Sequence, residues 1–284
     1  MPIPFDRDFT APTGVPGKLT PLVTRLLADN PGIFTFRGTG VYIVGGGQNV
    51  AVIDPGPDTP MHLAALKNAL TGKRVSHILI THTHADHSPA ARAVKEWTGA
   101  RTYAFGPHPA RDTEDGPKVE EGGDRGFVPD IRLADRALIE GDGFTLQALH
   151  TPGHMSNHLC FALIEENALF SGDHVMGWST TVVAPPDGDM TDYMHSLDRL
   201  IARDDRIIYP THGGPIRDPK KFLLAYRSHR LEREAAILGC VRAGVTAIPA
   251  IVEKLYAGVD RRLYPAAGRS VEAHLIKLRR ERKI

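Results

Sequence analysis

The sequence predicts an α/β fold, and three observations carry that prediction. Strand-like apolar runs alternate with helix-like segments through residue 214, the pattern of a layered α/β architecture. Several of these runs end in a tight Gly- or Pro-bearing turn followed by His or Asp. Beyond Gly214 the pattern becomes helical, so a small helical domain is expected over 215–284, after a main domain over 1–214. Hydrophobic residues make up 42% and charged residues 24% of the 284 positions, ordinary for a globular chain and opposed to disorder.

In order along the chain, residues 1–20 carry Pro2, Pro4, Pro12, Pro16, Gly14 and Gly17 and read as an irregular arm. Residues 33–54 read as strands broken at Gly38–Gly40 and Gly45–Gly47. Gly45-Gly46-Gly47 lacks the Lys-Ser and the helix of a phosphate loop and reads as a turn. Residues 60–71 and 88–98 read as helices. Residues 106–130, rich in Gly, Pro and charge, read as a surface loop or an insertion over a functional edge. Strands return over 131–171, and a helix is expected over 192–203 with Asp192 as its cap. In the last part, Phe222, Leu223, Tyr226, Leu231, Ala235 and Leu238 have helical spacing. Thr246 and Ser270 are placed to cap two further helices, ending at Leu255 and Arg282.

Residues 81–87 read Thr-His-Thr-His-Ala-Asp-His, directly after Ile78-Leu79-Ile80. Three imidazoles and a carboxylate in so short a stretch are metal-ligand chemistry suited to divalent zinc, iron or manganese. In extended chain His82 and His84 point the same way. Asp86 and His87, in the turn that follows, can aim at a neighbouring point. Three more strand–turn segments supply donors: Thr151-Pro152-Gly153-His154, Ser171-Gly172-Asp173-His174 and Pro210-Thr211-His212. Glycine in such turns permits sharp changes of direction that other residues resist.

Taken together, His82-Thr83-His84-Ala85-Asp86-His87 with His154, Asp173 and His212 resembles the ligand set of the metallo-β-lactamase fold hydrolases. The motifs span residues ~30–214. The resemblance implies a four-layer αβ/βα sandwich with loops at one edge holding one or two metals; two divalent ions are expected here, zinc first and iron or manganese as alternatives. It implies one site from His82, His84 and His154, a second from Asp86, His87 and His212, and Asp173 bridging them. Val52-Ile53-Asp54-Pro55-Gly56 resembles the family's early strand–turn motif, which places Asp54 behind the ligands. The chain departs from the pattern at Pro89-Ala90, where a glycine pair is common, and at Gly38-Thr39-Gly40-Val41-Tyr42, which lacks the usual Asn.

His158, four residues after His154, is expected to hydrogen-bond behind the ligands rather than to act on substrate. His174 is expected to line the pocket or face solvent, Tyr193 and His195 to stand near the metal edge within reach of substrate, and Trp178 to form a pocket wall or pack in the core. Asp86 is the candidate catalytic carboxylate.

The tail adds a second resemblance. Its helices, including Ser270-Val271-Glu272-Ala273-His274-Leu275-Ile276-Lys277-Leu278, resemble the winged-helix-like C-terminal domain of the β-lactamase-like protein 2 group. Some members of that group cleave single-stranded RNA. Residues 215–284 hold 16 Lys and Arg against 7 Asp and Glu, a net of +9. The preceding residues hold 18 against 26, a net of −8. Such a basic surface fits a polyanion, or a helix face docked on the acidic domain.

The expected function is therefore a metal-dependent hydrolase of an ester, thioester, lactone or phosphodiester. Its main partner is a small-molecule substrate, with RNA as a further candidate. The alternatives are a mononuclear iron oxidoreductase of the persulfide dioxygenase type, and an RNA endonuclease or nucleic-acid-binding protein using the basic tail. The intact set of Asp86, His87 and His212 weighs against a single iron. Cys160 and Cys240 are the only cysteines, which leaves no cysteine zinc site and no disulfide framework. No N-terminal signal pattern and no 18-residue apolar run is present, so a cytoplasmic location without membrane contact is the default expectation.

Overall fold

The computed structural model describes residues 2–110 and 122–284. Two sheets lie face to face between helices. The first has seven strands in sequential order: β1 Gly17–Lys18, β2 Val23–Leu27, β3 Gly40–Val44, β4 Asn49–Ile53, β5 Arg74–Leu79, β6 Arg101–Ala104 and β7 Ile131–Arg132. It is antiparallel through β4 and parallel from β4 to β7. The second runs in the order β12 Ile207–Pro210, β11 Ala168–Gly172, β10 Leu159–Leu163, β9 Thr145–His150 and β8 Leu138–Glu140, with only β11 and β12 parallel.

The strand periodicity of two decides the layers. On β10, Leu159, Phe161 and Leu163 face inward, where they meet Tyr42, Val44, Ile53 and Leu79 of the first sheet. Cys160 and Ala162 face outward onto helix α3 Met190–Ile201 and the start of helix α4 Pro219–Arg242. On the other side, Val41, Ile43, Val52 and Ile78 pack under helices α1 Pro60–Ala69 and α2 Ala91–Thr98. The result is a four-layer αβ/βα sandwich.

Two helices begin at a polar cap followed by proline. Thr59 precedes Pro60, and Asp218 precedes Pro219. The cap accepts a backbone N–H in each case, and proline fits the first turn because its missing N–H would be unpaired there. Helix α3 starts two residues earlier than expected. Asp189, not Asp192, caps it, accepting from the backbone N–H groups of Thr191 and Asp192.

The C-terminal part adds helices α5 Ile248–Leu255 and α6 Tyr264–Arg280, linked by a 3-10 turn at Arg261–Leu263. Neither expected cap acts there. Ala247 occupies the cap position of α5, and Ser270 lies in the interior of α6 because apolar packing of Ala266 and Ala267 extends that helix upstream. These helices have their own core of Ile237, Cys240, Ile251, Val271, Leu275 and Leu278. Helix α4 joins the two parts: Phe222, Leu223 and Tyr226 belong to the sandwich layer, while Ile237 and Cys240 belong to the C-terminal core.

Other sequence expectations are corrected. Residues 33–36 are not a strand; they form a turn closed by an isolated bridge between Gly32 and Phe36. Strand β2, with its Arg25 interrupting the apolar run, went unrecognised. Most of the 106–130 segment's middle, residues 111–121, lies outside the described residues. Its far end does meet the metal-ligand segment: Ala85 N–H donates to the Gly122 carbonyl at 2.8 Å, Asp124 N–H to the Thr83 carbonyl at 2.8 Å. Among the described residues no helix is long and apolar enough to cross a membrane.

Candidate metal centre

Five strands deliver the site. Strands β4, β5, β9, β11 and β12 all end at one edge of the sandwich, and the segments after them carry Asp54, His82–His87, His154, Asp173 and His212. Carboxyl ends of parallel strands are the natural place for ligands because the loops there converge without further chain reversal. Two glycines permit the approach. Gly153 has φ of 137°, and a Cβ there would come within 2.3 Å of the Tyr193 backbone. Gly172 has φ of 51°, and a Cβ would press on His158 and Thr81 at 2.6–2.9 Å. Larger residues would push His154 and Asp173 out of place.

The structure brings all seven predicted donors together. Donor atoms of His82, His84 and His154 lie within 4.8 Å of one another, as do those of Asp86, His87 and His212, and those of His82, His87 and Asp173. The last triad lies between the other two. Asp173 Oδ2 is 3.5 Å from His87 Nε2, 3.4 Å from His212 Nε2 and 4.0 Å from His154 Nε2. Asp86 Oδ2 is 3.2 Å from His212 Nε2 and 3.4 Å from His87 Nε2.

Hydrogen bonds behind the donors set each ring. His87 Nδ1 meets Asp54 Oδ2 at 2.9 Å, His154 Nδ1 the Val182 carbonyl at 2.8 Å, and His212 Nδ1 the Gly38 carbonyl at 3.2 Å. Donation from Nδ1 turns Nε2 toward the shared centre, an arrangement typical of metal-ligating histidines. Asp54 is itself clamped, accepting from the Thr81 N–H at 2.8 Å and the Thr81 hydroxyl at 2.7 Å. Its backbone sits at φ of 47°, a conformation uncommon for a residue with a side chain, and these bonds offset that cost.

The site's electrostatics are those of a buried charge cluster. Exposure of the seven donors runs from 0% for His87 to 8% for Asp173, so their interactions are little screened by water. Burial alone would push the Asp86 and Asp173 carboxyls up. The facing imidazoles, His87 and His212, outweigh burial and hold both below the usual range. Burial likewise favours neutral His87 and His212. For His87, Asp86, Asp173 and Asp54 reverse this and raise it well above its ordinary value; for His212, Asp173 and Asp86 raise it to about 10. His82 is lowered, by burial and then by His87, His84 and His154.

Two observations test the fit of a metal. At the centre, His87 Nε2 and Asp173 Oδ1 are buried with no hydrogen-bond partner, although unpaired buried polar atoms are costly. The donors are imidazole nitrogen and carboxylate oxygen with no thiolate, a set suited to divalent transition metals. The residues fit such an ion.

The remaining predicted residues divide. His158 is fully buried behind the ligands, with Nδ1 2.9 Å from the Thr151 hydroxyl and Nε2 accepting from the Asp173 N–H at 3.2 Å. His174 neither lines the pocket nor faces solvent. It is buried against the Tyr193 ring, 4.5 Å between centroids. Tyr193 is also buried, its hydroxyl donating to the His174 carbonyl at 2.8 Å. His195 stands on the exposed face of α3, because Tyr193, Ser196 and Leu197 occupy the inward face. Trp178 does form a pocket wall and stacks on Phe36 at 4.7 Å.

Sequence reading missed Thr39 and Asn30. The Thr39 hydroxyl donates to Asp86 Oδ2 at 2.8 Å, and Asn30 holds Thr39 through its N–H and its hydroxyl, both at 2.9 Å. The Gly-Thr-Gly stretch was the available signal, since it breaks an otherwise apolar strand entry.

Comparison with known proteins agrees with this geometry. Residues 35–212 match the family model of the metallo-beta-lactamase superfamily, and residues 247–284 that of the beta-lactamase associated winged helix domain. An atrochrysone carboxyl ACP thioesterase of Aspergillus chevalieri is 33% identical over 79% of this chain. The chain spans about two thirds of such fungal relatives, 65% of one and 67% of the thioesterase. A beta-lactamase-like protein 2 homolog of Drosophila melanogaster is 32% identical over 94% of this chain and 91% of its own length. The crystal structure of a metallo-beta-lactamase family protein from Thermus thermophilus superposes with a TM-score of 0.76 and 26% identity, covering 93% of this chain and 95% of that one.

Proposed function

The chain belongs to the metallo-β-lactamase superfamily, and from that premise we propose that it is a two-metal hydrolase of an ester or thioester. The observation that carries the reading is the overlap of three buried donor triads sharing His82 and His87, with Asp173 between the outer two. One ion needs a single triad; this arrangement provides for two.

His82, His84 and His154 would hold one ion and Asp86, His87 and His212 the other, with Asp173 common to both. Zinc is the first choice, iron or manganese the alternatives. When bound, such ions supply Lewis acidity and a hydroxide nucleophile near neutral pH. The chain does the rest. Asp54, the Val182 carbonyl and the Gly38 carbonyl lock the rings of His87, His154 and His212, so the donors need no reorganisation during reaction. The Thr39 hydroxyl donates to Asp86 and fixes its carboxylate at the pocket floor, placed to orient the attacking hydroxide. Trp178 and Phe34 wall the cavity and limit bulk water around the scissile group.

The named thioesterase relative supports a carbonyl rather than a phosphorus centre. Metal analysis of freshly purified protein, coupled to a panel of esters, thioesters, lactones and single-stranded RNA, tests the reading. Two divalent ions per chain with thioester or ester turnover is the expected outcome. One iron with sulfide-dependent oxygen uptake, or cleavage of RNA alone, would overturn it.

A further inference from the structure

The cavity over the metal centre does not end at the sandwich. It encloses about 270 Å³ and is lined both by His84, Asp86, His154, Asp173 and His212 and by residues of the C-terminal helices. Helix α4 contributes His229, Arg230 and Arg233, with Arg233 about one turn on from both of the others. Tyr256, Val259 and Leu263 add an apolar wall.

Among the described residues Arg230 and Arg233 have no ion pair with a carboxylate, unlike four other arginines of this part. Arg227 pairs with Asp198, Arg262 with Asp260, Arg269 with Glu272 and Arg280 with Asp189. The acids adjacent to the cluster in sequence are engaged elsewhere. Glu232 accepts from the Ser228 hydroxyl at 2.8 Å, and Glu234 pairs with Lys277 at 2.8 Å. Arg230 is only 4% exposed. It donates to the Thr181 carbonyl and lies over the Tyr193 ring, yet its Nε has no partner. Arg233 donates to the Leu255 carbonyl at 2.8 Å and stacks on Tyr256 at 4.1 Å. The His229 Nδ1 is also buried and unpartnered. A guanidinium buried without a counter-charge is costly, and here it borders a cavity. Thr181 links the cluster to the metal side, since its hydroxyl donates to the Asp173 carbonyl at 2.7 Å.

We propose that His229, Arg230 and Arg233 form an anion subsite that selects acyl substrates carrying a carboxylate or phosphate at the end remote from the scissile carbonyl, with the apolar wall of the C-terminal helices covering the body between. The planar fork of arginine suits both oxyanions. Burial, and then Arg230 and Arg233, lower His229 to about 4 against an opposing Glu232, so its imidazole is a neutral donor beside the two guanidinium groups. This proposal rests on the hydrolase reading and adds the substrate's charge to it. It gives the C-terminal helices a part in choosing the substrate.

The test compares matched thioesters of one acyl length ending in a carboxylate, a phosphate or a methyl group, with wild type and Arg233→Gln. Arg233 is half-buried and on the pocket side, so its loss leaves the tie of Arg230 to Thr181 in place. The expected result is a fall of roughly tenfold or more in the anionic-to-neutral ratio of kcat/KM, carried by KM. Arg233→Lys should recover part of it. Arg242→Gln, on the exposed end of the same helix, should leave the ratio where it is. The carboxylate and phosphate arms show which anion is preferred. An unchanged ratio in Arg233→Gln, or loss of RNA cleavage without a change in ratio, would overturn the proposal. If wild type hydrolyses no thioester, the hydrolase reading fails separately. Calorimetry of the metal-free chain with phenyl phosphate then decides the subsite: binding weakened in Arg233→Gln supports it, and equal or absent binding overturns it.

Discussion

The metal edge and the C-terminal helices border one cavity but are built in opposite ways. At the edge, each carboxylate faces imidazoles, and the rings of His87, His154 and His212 are each held by an oxygen on the far side. On the helices, Arg230 and Arg233 border the cavity with no carboxylate paired to them among the described residues. The contrast teaches how the two parts divide the work. A metal site must be preorganised and self-consistent before the ion arrives. A subsite for a charged substrate keeps its charge unmatched, because the substrate supplies the partner.

The largest expected effect comes from breaking the edge itself. His84→Ala or Asp86→Ala should lower hydrolysis by roughly three orders of magnitude or more while the chain stays folded. Turnover assays with metal counting and circular dichroism check this, and near-normal turnover in a metal-loaded variant would remove the residue from the site. Asp54→Asn is a subtler break. It removes the acceptor that fixes His87 Nδ1, and should reduce metal affinity or activity roughly 10- to 100-fold. Competition with a chelator measures it directly.

On the helix side, acid should act before heat distinguishes the parts. Glu234 is lowered to about 2, chiefly by His274, whose Nδ1 lies 3.5 Å from Oε2, with burial opposing and Lys277 assisting. A carboxylate lowered on folding stabilises the fold above its unfolded value, which is near 4.5. That contribution is lost as pH falls from there through about 2. Thermal melts of wild type and Glu234→Gln across that window should converge at the acid end. The smallest effect belongs to His195→Ala. Its ring is on the solvent face of α3, so kcat/KM should stay within about twofold and stability within about 0.5 kcal/mol. A larger loss would return His195 to the substrate path.

The basic excess of residues 215–284 is partly consumed in docking the helices. Arg227 and Arg280 pair with Asp198 and Asp189 of the sandwich, and Arg269 donates to the Pro185 carbonyl. Net charge read from sequence could not separate these cations from Arg230 and Arg233, because pairing is a matter of direction and distance rather than of count.

What the sequence determined by itself is the local chemistry. The His82–His87 cluster is contiguous, and each further donor follows an apolar run and a Gly or Pro turn, so short-range rules suffice to find them. Alternation of strands and helices indicates the α/β class, whereas the four layers were implied only by the resemblance of the donor motifs to the metallo-β-lactamase fold. Helix starts were less legible, since a cap such as Asp189 is chosen by the loop entering it, and Ser270 reads as a cap only until packing extends α6 past it. Tertiary structure alone decided which side His174 and His195 face, that Thr39 holds Asp86, and that α4 turns two arginines and a histidine toward the metal cavity. Those facts depend on contacts between residues far apart in the chain, such as the pairing of Thr39 with Asp86 and of Arg230 with Thr181. Only burial in the folded chain makes an unpaired charge costly enough to be informative.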